Sequence, residues 1–253
     1  MVGGPGGISG EDGLKIRGRN PARAPEFPIF ALMARKKKRI VLPAVEITGL
    51  ADKGRGVGTA PDGRVVFVDE VAPGDVVDVL VRKKKKNFYQ GEPQLYRELS
   101  DKRTEPFCPH FEFCGGCKYQ HIDYAEQIRQ KEIIVRDALQ RIGGVEVDDF
   151  QPILGAEQTR YYRNKMEFSF SNKRWLRPEE LNTEVSNEQD VLGFHRAGAF
   201  DKIIDIQECF LQPDPSNALR NALRRIGQEQ GLSFYDARAQ QGFLRNVVVR
   251  VTT

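Results

Sequence analysis

The sequence predicts an α+β protein: a small five-stranded OB-like β-barrel over residues 39–100, then an α+β domain over residues 101–253 that carries four cysteines. Three observations lead there. Residues 40–98 break into five short β-rich runs separated by glycine turns, three of the four cysteines crowd between positions 108 and 117, and helical periodicity appears only after them.

Composition bounds the possibilities. Lys and Arg number 39 against 35 Asp and Glu, a formal charge of +4, and 40% of the residues are hydrophobic, enough for a sizeable core and too many for a disordered or collagen-like chain. The charge is uneven. Residues 1–100 hold 18 basic and 12 acidic side chains, so the N-terminal part is net positive and the remainder slightly negative. No run approaches the roughly 18 apolar residues of a membrane span, and the Gly-rich start does not resemble a secretory signal. A cytoplasmic protein with no membrane or protein partner is expected. Four cysteines are too few for a secreted disulfide framework.

Residues 1–38, rich in Gly, Pro and Arg, are expected to be a flexible tail because they lack the apolar residues to offset ordering. The strands are expected at 40–48, 56–60, 64–68, 76–82 and 88–98, with Asp62-Gly63 marking a tight hairpin and Pro73-Gly74-Asp75 another turn. Five short strands in so few residues suggest a closed barrel. Asp123 and Glu126 form a capping-box pattern, and Ile128, Val135, Leu139 and Ile142 continue at helical spacing until Gly143-Gly144. Further strands are expected at 165–171, 191–195, 202–206 and 243–251. A second helix at 216–230 carries Leu219, Leu223 and Ile226 on its apolar stripe, and the polar stretch 179–190 reads as a surface loop.

The strongest chemical signal is Cys108-x5-Cys114-x2-Cys117, with Gly115-Gly116 inside it and Cys209 far downstream. Thiolates are soft ligands, and four of them complete one iron–sulfur cubane or one tetrahedral zinc ion. Spacing leaves both open, as it does buried unligated thiols. His110 and His121 could each replace a sulfur in a zinc site. The paired glycines let the backbone turn amides toward the metal group.

A second signal is basic. Arg82, Lys83, Lys84, Lys85 and Lys86 run into Asn87, Phe88 and Tyr89, which offers cations for phosphates and aromatic faces for unpaired bases. Lys53 and Arg55 in a Gly-rich turn extend this expected RNA-binding rim, and Arg163 and Lys165 before a later strand are weaker candidates. The alternative is a solvated strand end whose charges discourage edge pairing. Gly54, Gly56 and Gly58 are followed by a strand rather than a helix, so they are not a dinucleotide loop. The four cysteines being assigned to metal, no catalytic residue is expected in this chain.

The basic barrel followed by Cys108-x5-Cys114-Gly115-Gly116-Cys117-x2-Gln120-His121, and the segment Gly193-Phe194-His195-Arg196 through Asp205-Ile206-x2-Cys209, resemble the bacterial RNA uracil-5 methyltransferases. The likeness is to the 23S ribosomal RNA branch, which has a TRAM domain and a [4Fe-4S] cluster. It implies cluster ligation by Cys108, Cys114, Cys117 and Cys209, RNA binding by the barrel and central domain, and 23S ribosomal RNA as partner. In that family a Rossmann-like domain binds S-adenosylmethionine and supplies a cysteine that attacks C6 of uracil. The resemblance therefore implies that this chain, ending at Thr253, lacks the Rossmann-like methyltransferase domain, and that alone it binds no S-adenosylmethionine and is inactive. The alternatives are a stand-alone RNA-binding module held by structural zinc or a cluster, and a tRNA uracil-C5 methyltransferase.

Overall fold

The computed structural model describes residues 39–252; the expected tail at 1–38 lies outside them. Five strands, β1 (Val41–Leu50), β2 (Gly56–Thr59), β3 (Val65–Val68), β4 (Val76–Lys84) and β5 (Phe88–Glu98), close into a barrel in the order β1-β2-β3-β5-β4. Closure comes from an antiparallel β1–β4 pairing and one parallel pairing, β3 with β5. Alternate residues point inward, so Val45, Ile47, Val66, Val68, Val77 and Val79 form a core almost without solvent contact. Each such aliphatic side chain contributes about 1.5–3 kcal/mol.

β4 runs to Lys84, two residues past the expected end, because a turn from Lys85 to Phe88 lets Lys83 and Lys84 pair with Gln90 and Tyr89. The lysine run is thus the tip of a hairpin.

Helix α1 (Tyr124–Asp137) begins where expected, with the Asp123 carboxylate accepting from the Ala125 and Glu126 amides. The capping box is only half formed. The Asp123 N–H donates to the Lys102 carbonyl, while Glu126 turns inward to Arg129 and Gln130. The buried residues of this helix are Glu126 and Gln130, and Val135 and Ile142 of the expected apolar stripe are exposed. Gln130 Oε1 accepts the Leu50 N–H at 3.0 Å, tying α1 to the end of β1.

Beyond α1 the chain builds a four-stranded antiparallel sheet in the order β8-β7-β6-β9, from β6 (Lys165–Ser171), β7 (Val191–His195), β8 (Ile203–Asp205) and β9 (Asn246–Arg250). One face packs Met166, Phe168, Phe170, Leu192, Ile204 and Val249 into a core. Helix α2 (Ser216–Glu229) lies where the sequence places it but is rotated: Ser216, Arg220 and Gly227 are its buried residues, while Leu219, Leu223 and Ile226 are exposed. Among the described residues no helix is long and apolar enough to cross a membrane.

Candidate functional site

Cys108, Cys114, Cys117 and Cys209 line one cavity, whose walls include Phe111, Phe194, Ile206 and Leu211. All four are free thiols. The first three sit on a loop folded by tight turns, in which the Phe113 and Cys114 amides both donate to the His110 carbonyl. That loop adds to the end of β7: Cys114 pairs with Arg196, and the Gly115 N–H donates to the His195 carbonyl at 3.1 Å. A Cβ on Gly115 would lie 2.9 Å from that same carbonyl oxygen, so only glycine allows the approach. On Gly116 it would meet nothing closer than Cys114 Sγ at 3.5 Å.

Two side-chain amides brace the cysteine-bearing segments. The Gln120 Oε1 accepts the Cys108 N–H at 3.2 Å. Asn217, in the first turn of α2, accepts the Cys209 N–H at 2.8 Å and donates back to the Cys209 carbonyl at 3.2 Å. Phe107 meets Phe210 edge-on at 5.5 Å, packing the two cysteine-bearing segments together one residue from Cys108 and from Cys209.

Burial raises all four thiols, Cys114 to about 11, and the charge of each further thiolate would add to the cost. A metal must displace their protons to bind. The Gly116 N–H points at Cys114 Sγ from 3.4 Å, the kind of amide that solvates a thiolate. Among the described residues no three His, Cys, Asp or Glu side chains close together tightly enough to hold a single metal ion. A tetrahedral zinc with bonds of about 2.3 Å needs sulfurs about 3.8 Å apart.

The two histidines part company. His110 lines the cavity, with Nδ1 3.9 Å from Cys108 Sγ. His121 does not: its Nε2 donates to the Val71 carbonyl at 3.1 Å, anchoring the cysteine segment to the barrel, and it is no substitute ligand.

The residues nominated for a barrel rim are only partly brought together. Lys83, Lys84, Lys85 and Lys86 are exposed at the hairpin tip, and Arg82 is exposed but paired with Glu92. Arg55 lies over the Phe67 ring at 5.3 Å, and Phe67 meets Phe88 edge-on at 5.6 Å, so one patch joins Arg55 to Phe88 through an aromatic that sequence pattern alone does not mark. Lys53 is exposed in a turn whose Gly54, at φ 72°, packs on Lys118 beside the cysteine loop. Tyr89 is corrected: it is 4% exposed in the barrel core with Arg64 across its ring, and offers no stacking face. Arg163 and Lys165 are exposed, Arg163 near Cys117 and Lys165 paired across the sheet with Arg250.

Other residues went unread in the sequence. Arg160, Arg177 and Arg196 stand over Phe107, Phe113 and Trp175 around the cysteine loop, three exposed cations on aromatic rings. A cleft of about 580 Å³ crosses the other face of the sheet, lined by Ser169, His195, Tyr235, Arg245 and Asn246 among others. Ser169 Oγ and His195 Nε2 are 3.3 Å apart there, but no carboxylate is bonded to His195 among the described residues, so the pair lacks the group that would orient a general base. Nothing in the local pattern marks these residues, because each depends on a distant partner.

Residues 44–93 match the TRAM domain. The barrel is thus similar to a TRAM domain. The chain is also related to RNA methyltransferases. It is 45% identical over 205 residues to one from Bacteroides thetaiotaomicron and 48% identical over 216 residues to one from Porphyromonas gingivalis, each described as uncharacterized. These matches cover 81% and 83% of this chain but 45% and 46% of the relatives, so it spans less than half their length. A solved structure, the Pyrococcus abyssi tRNA (uracil-54, C5)-methyltransferase in complex with S-adenosyl-L-homocysteine, shares the fold with a TM-score of 0.52 and 22% identity, over 82% of this chain and 42% of that one.

These likenesses correct the expectation of a missing Rossmann-like domain. The relatives matched over most of this chain are RNA methyltransferases, and the structural neighbour is a methyltransferase holding the demethylated cofactor, so the protein is not to be described as lacking that domain. Where an amino-acid sequence stops is no evidence of absence. The expectations that the chain is inactive and binds no S-adenosylmethionine lose their ground with it.

Proposed function

We propose that this chain serves an S-adenosylmethionine-dependent methylation of uracil C5 in RNA, supplying RNA recognition and an iron–sulfur centre. The observation that carries the reading is that Cys209 shares one cavity with Cys108, Cys114 and Cys117, as the resemblance to the cluster-bearing methyltransferases requires. Those four residues would hold a [4Fe-4S] cluster. Four thiols are the donor set that either a cubane or a tetrahedral zinc ion takes, and the resemblance to the cluster-bearing methyltransferases favours the cubane. When bound, the cluster supplies a rigid covalent tie between the loop at 108–117 and the segment leading into α2. The protein's own residues do the rest: Gln120 and Asn217 orient the ligands, His121 fixes the loop to the TRAM domain, and the exposed cations take RNA phosphates.

Cytoplasm, where free thiols persist, suits the site. The four cysteines favour 23S ribosomal RNA as substrate. Transfer RNA is the second reading, favoured by the name of the structural neighbour.

Anaerobic purification with iron and sulfide analysis, followed by methyl transfer from labelled S-adenosylmethionine to 23S ribosomal RNA and to transfer RNA, tests both. About four irons per chain and labelled 5-methyluridine in the ribosomal RNA are expected. Stoichiometric zinc without sulfide refutes the cluster, and labelling confined to transfer RNA refutes the ribosomal substrate.

A further inference from the structure

Helix α2 is turned against its own sequence. Leu219, Leu223 and Ile226 keep 47%, 38% and 40% of their surface, while Arg220 keeps none. A guanidinium stays charged when desolvated, and a buried charge without a counter-ion is strongly unfavourable. Yet none of the ion pairs among the described residues includes Arg220. Of the two carboxylates within its electrostatic reach, Asp205 is taken by Arg224, and Asp214 is exposed. The partners of Arg220 are neutral: the Gln207 carbonyl, Asn217 Oδ1 at 3.0 Å and Asn221 Oδ1 at 3.3 Å, with the Phe168 ring 5.2 Å away. Its Nε is buried and has no partner.

What stands beside this charge is the cysteine cavity. Asn217 Oδ1 accepts from Arg220 and from the Cys209 N–H at once, so the guanidinium is one side-chain amide removed from a ligand backbone. Both Cys209 and His110 of the cavity wall lie within electrostatic reach of it. A cubane held by four thiolates is an anion, and it would lie in the same apolar surroundings.

We propose that Arg220 is the buried counter-ion of the four-thiolate centre and, through Asn217, the positioning residue for Cys209. This rests on the iron–sulfur reading above. It explains why an arginine occupies the inward face of α2: without the cluster the fold buries a lone cation, and with it the two charges offset. A fixed cation also stabilises the more negative, reduced cluster and so raises its potential.

The test compares full-length wild type with Arg220→Gln and Arg220→Lys, each purified anaerobically. Iron and sulfide per chain, the reduction potential by spectroscopically monitored titration, and Tm before and after chelation are the readouts. Arg220→Gln should shift the potential to more negative values and shrink the Tm gap between loaded and chelated protein, its chelated form melting no lower than chelated wild type. Arg220→Lys, keeping the charge without the fork of donors, should hold the potential near wild type. A glutamine variant with wild-type potential and Tm gap, or a lysine variant whose potential moves as far as that of glutamine, overturns the proposal. Should the glutamine variant not fold, the lysine variant decides: a retained potential supports the counter-ion, and lost loading with an unchanged chelated Tm overturns it. A wild type without iron and sulfide removes the cluster reading and this inference with it, whereas the other failures arise only with the cluster in place.

Discussion

Removing the carboxylate of Asp75 should loosen the attachment of the barrel to the cysteine segment. Asp75 is completely buried and accepts the Ala72 N–H at 2.6 Å, the Ser100 N–H at 3.0 Å, and Arg103 through Nε at 2.8 Å and Nη2 at 2.7 Å. Arg103 itself pairs with Ile122, next to His121, so one carboxylate joins a barrel turn to the strand end that leads into the cysteine loop. Burial works against the charged form, but Arg103 and the two amides outweigh it and hold the carboxyl below its usual range. In Asp75→Ala the arginine loses its partner while largely buried, a loss of about 3–5 kcal/mol. Asp75→Asn keeps an acceptor for the amides and loses the charge, costing about 1.5–3 kcal/mol. Urea denaturation followed by far-UV circular dichroism measures both, and the double cycle with Arg103→Ala isolates the pair. The depressed carboxyl sets the pH sign. Its contribution is present above the unfolded carboxyl value near 3.8 and is lost as pH falls through the lower folded value, so the gap between wild type and Asp75→Asn should narrow in strong acid. An Asp75→Ala protein within about 1 kcal/mol of wild type at neutral pH would refute the reasoning.

Three other perturbations are informative. Gly115→Val should lose most of its iron, because its Cβ is forced against the His195 carbonyl, while Gly116→Ala should load normally; metal analysis of both separates a backbone approach from a general need for glycine. The raised thiols make the chelated protein lose stability as pH climbs from the ordinary thiol value of 9.0 toward about 11, since the unfolded chain gives up its protons first. Melting chelated and loaded protein between those limits should show a falling Tm only for the chelated form, and parallel curves would count against buried thiols. Replacing Lys83, Lys84, Lys85 and Lys86 by Ala should weaken RNA binding and reduce its logarithmic salt slope by up to about 3, four cations at about 0.7 each for single strands. An unchanged slope would remove the hairpin tip from the interface.

The TRAM strands and the cysteine spacing were legible in the sequence because both are local: alternating valines between glycine turns, and three thiols within ten residues. So was the start of α1, marked by Asp123. The helix faces were not. Periodicity averages apolarity along a segment, and it nominated Leu219, Leu223 and Ile226 where the fold buries Arg220, and Val135 and Ile142 where it buries Glu126 and Gln130. In each case the deciding partner is outside the helical repeat: distant Leu50 for Gln130, and for Arg220 the segment around Cys209 that packs back on the helix. The same holds for Tyr89, whose aromatic face is covered by Arg64 at the start of the neighbouring strand β3.

The amino-acid order alone thus determined which donor atoms this protein owns and where strands and helices begin, since both arise from short-range chemistry of the chain. Tertiary structure decided which of those atoms share a low-dielectric space. Cys209 joins the other three thiols, His121 leaves them, and a guanidinium without a carboxylate is set beside them. Burial and counter-charge are properties of a place in the fold, and a place is made by residues that are neighbours only after the chain has packed.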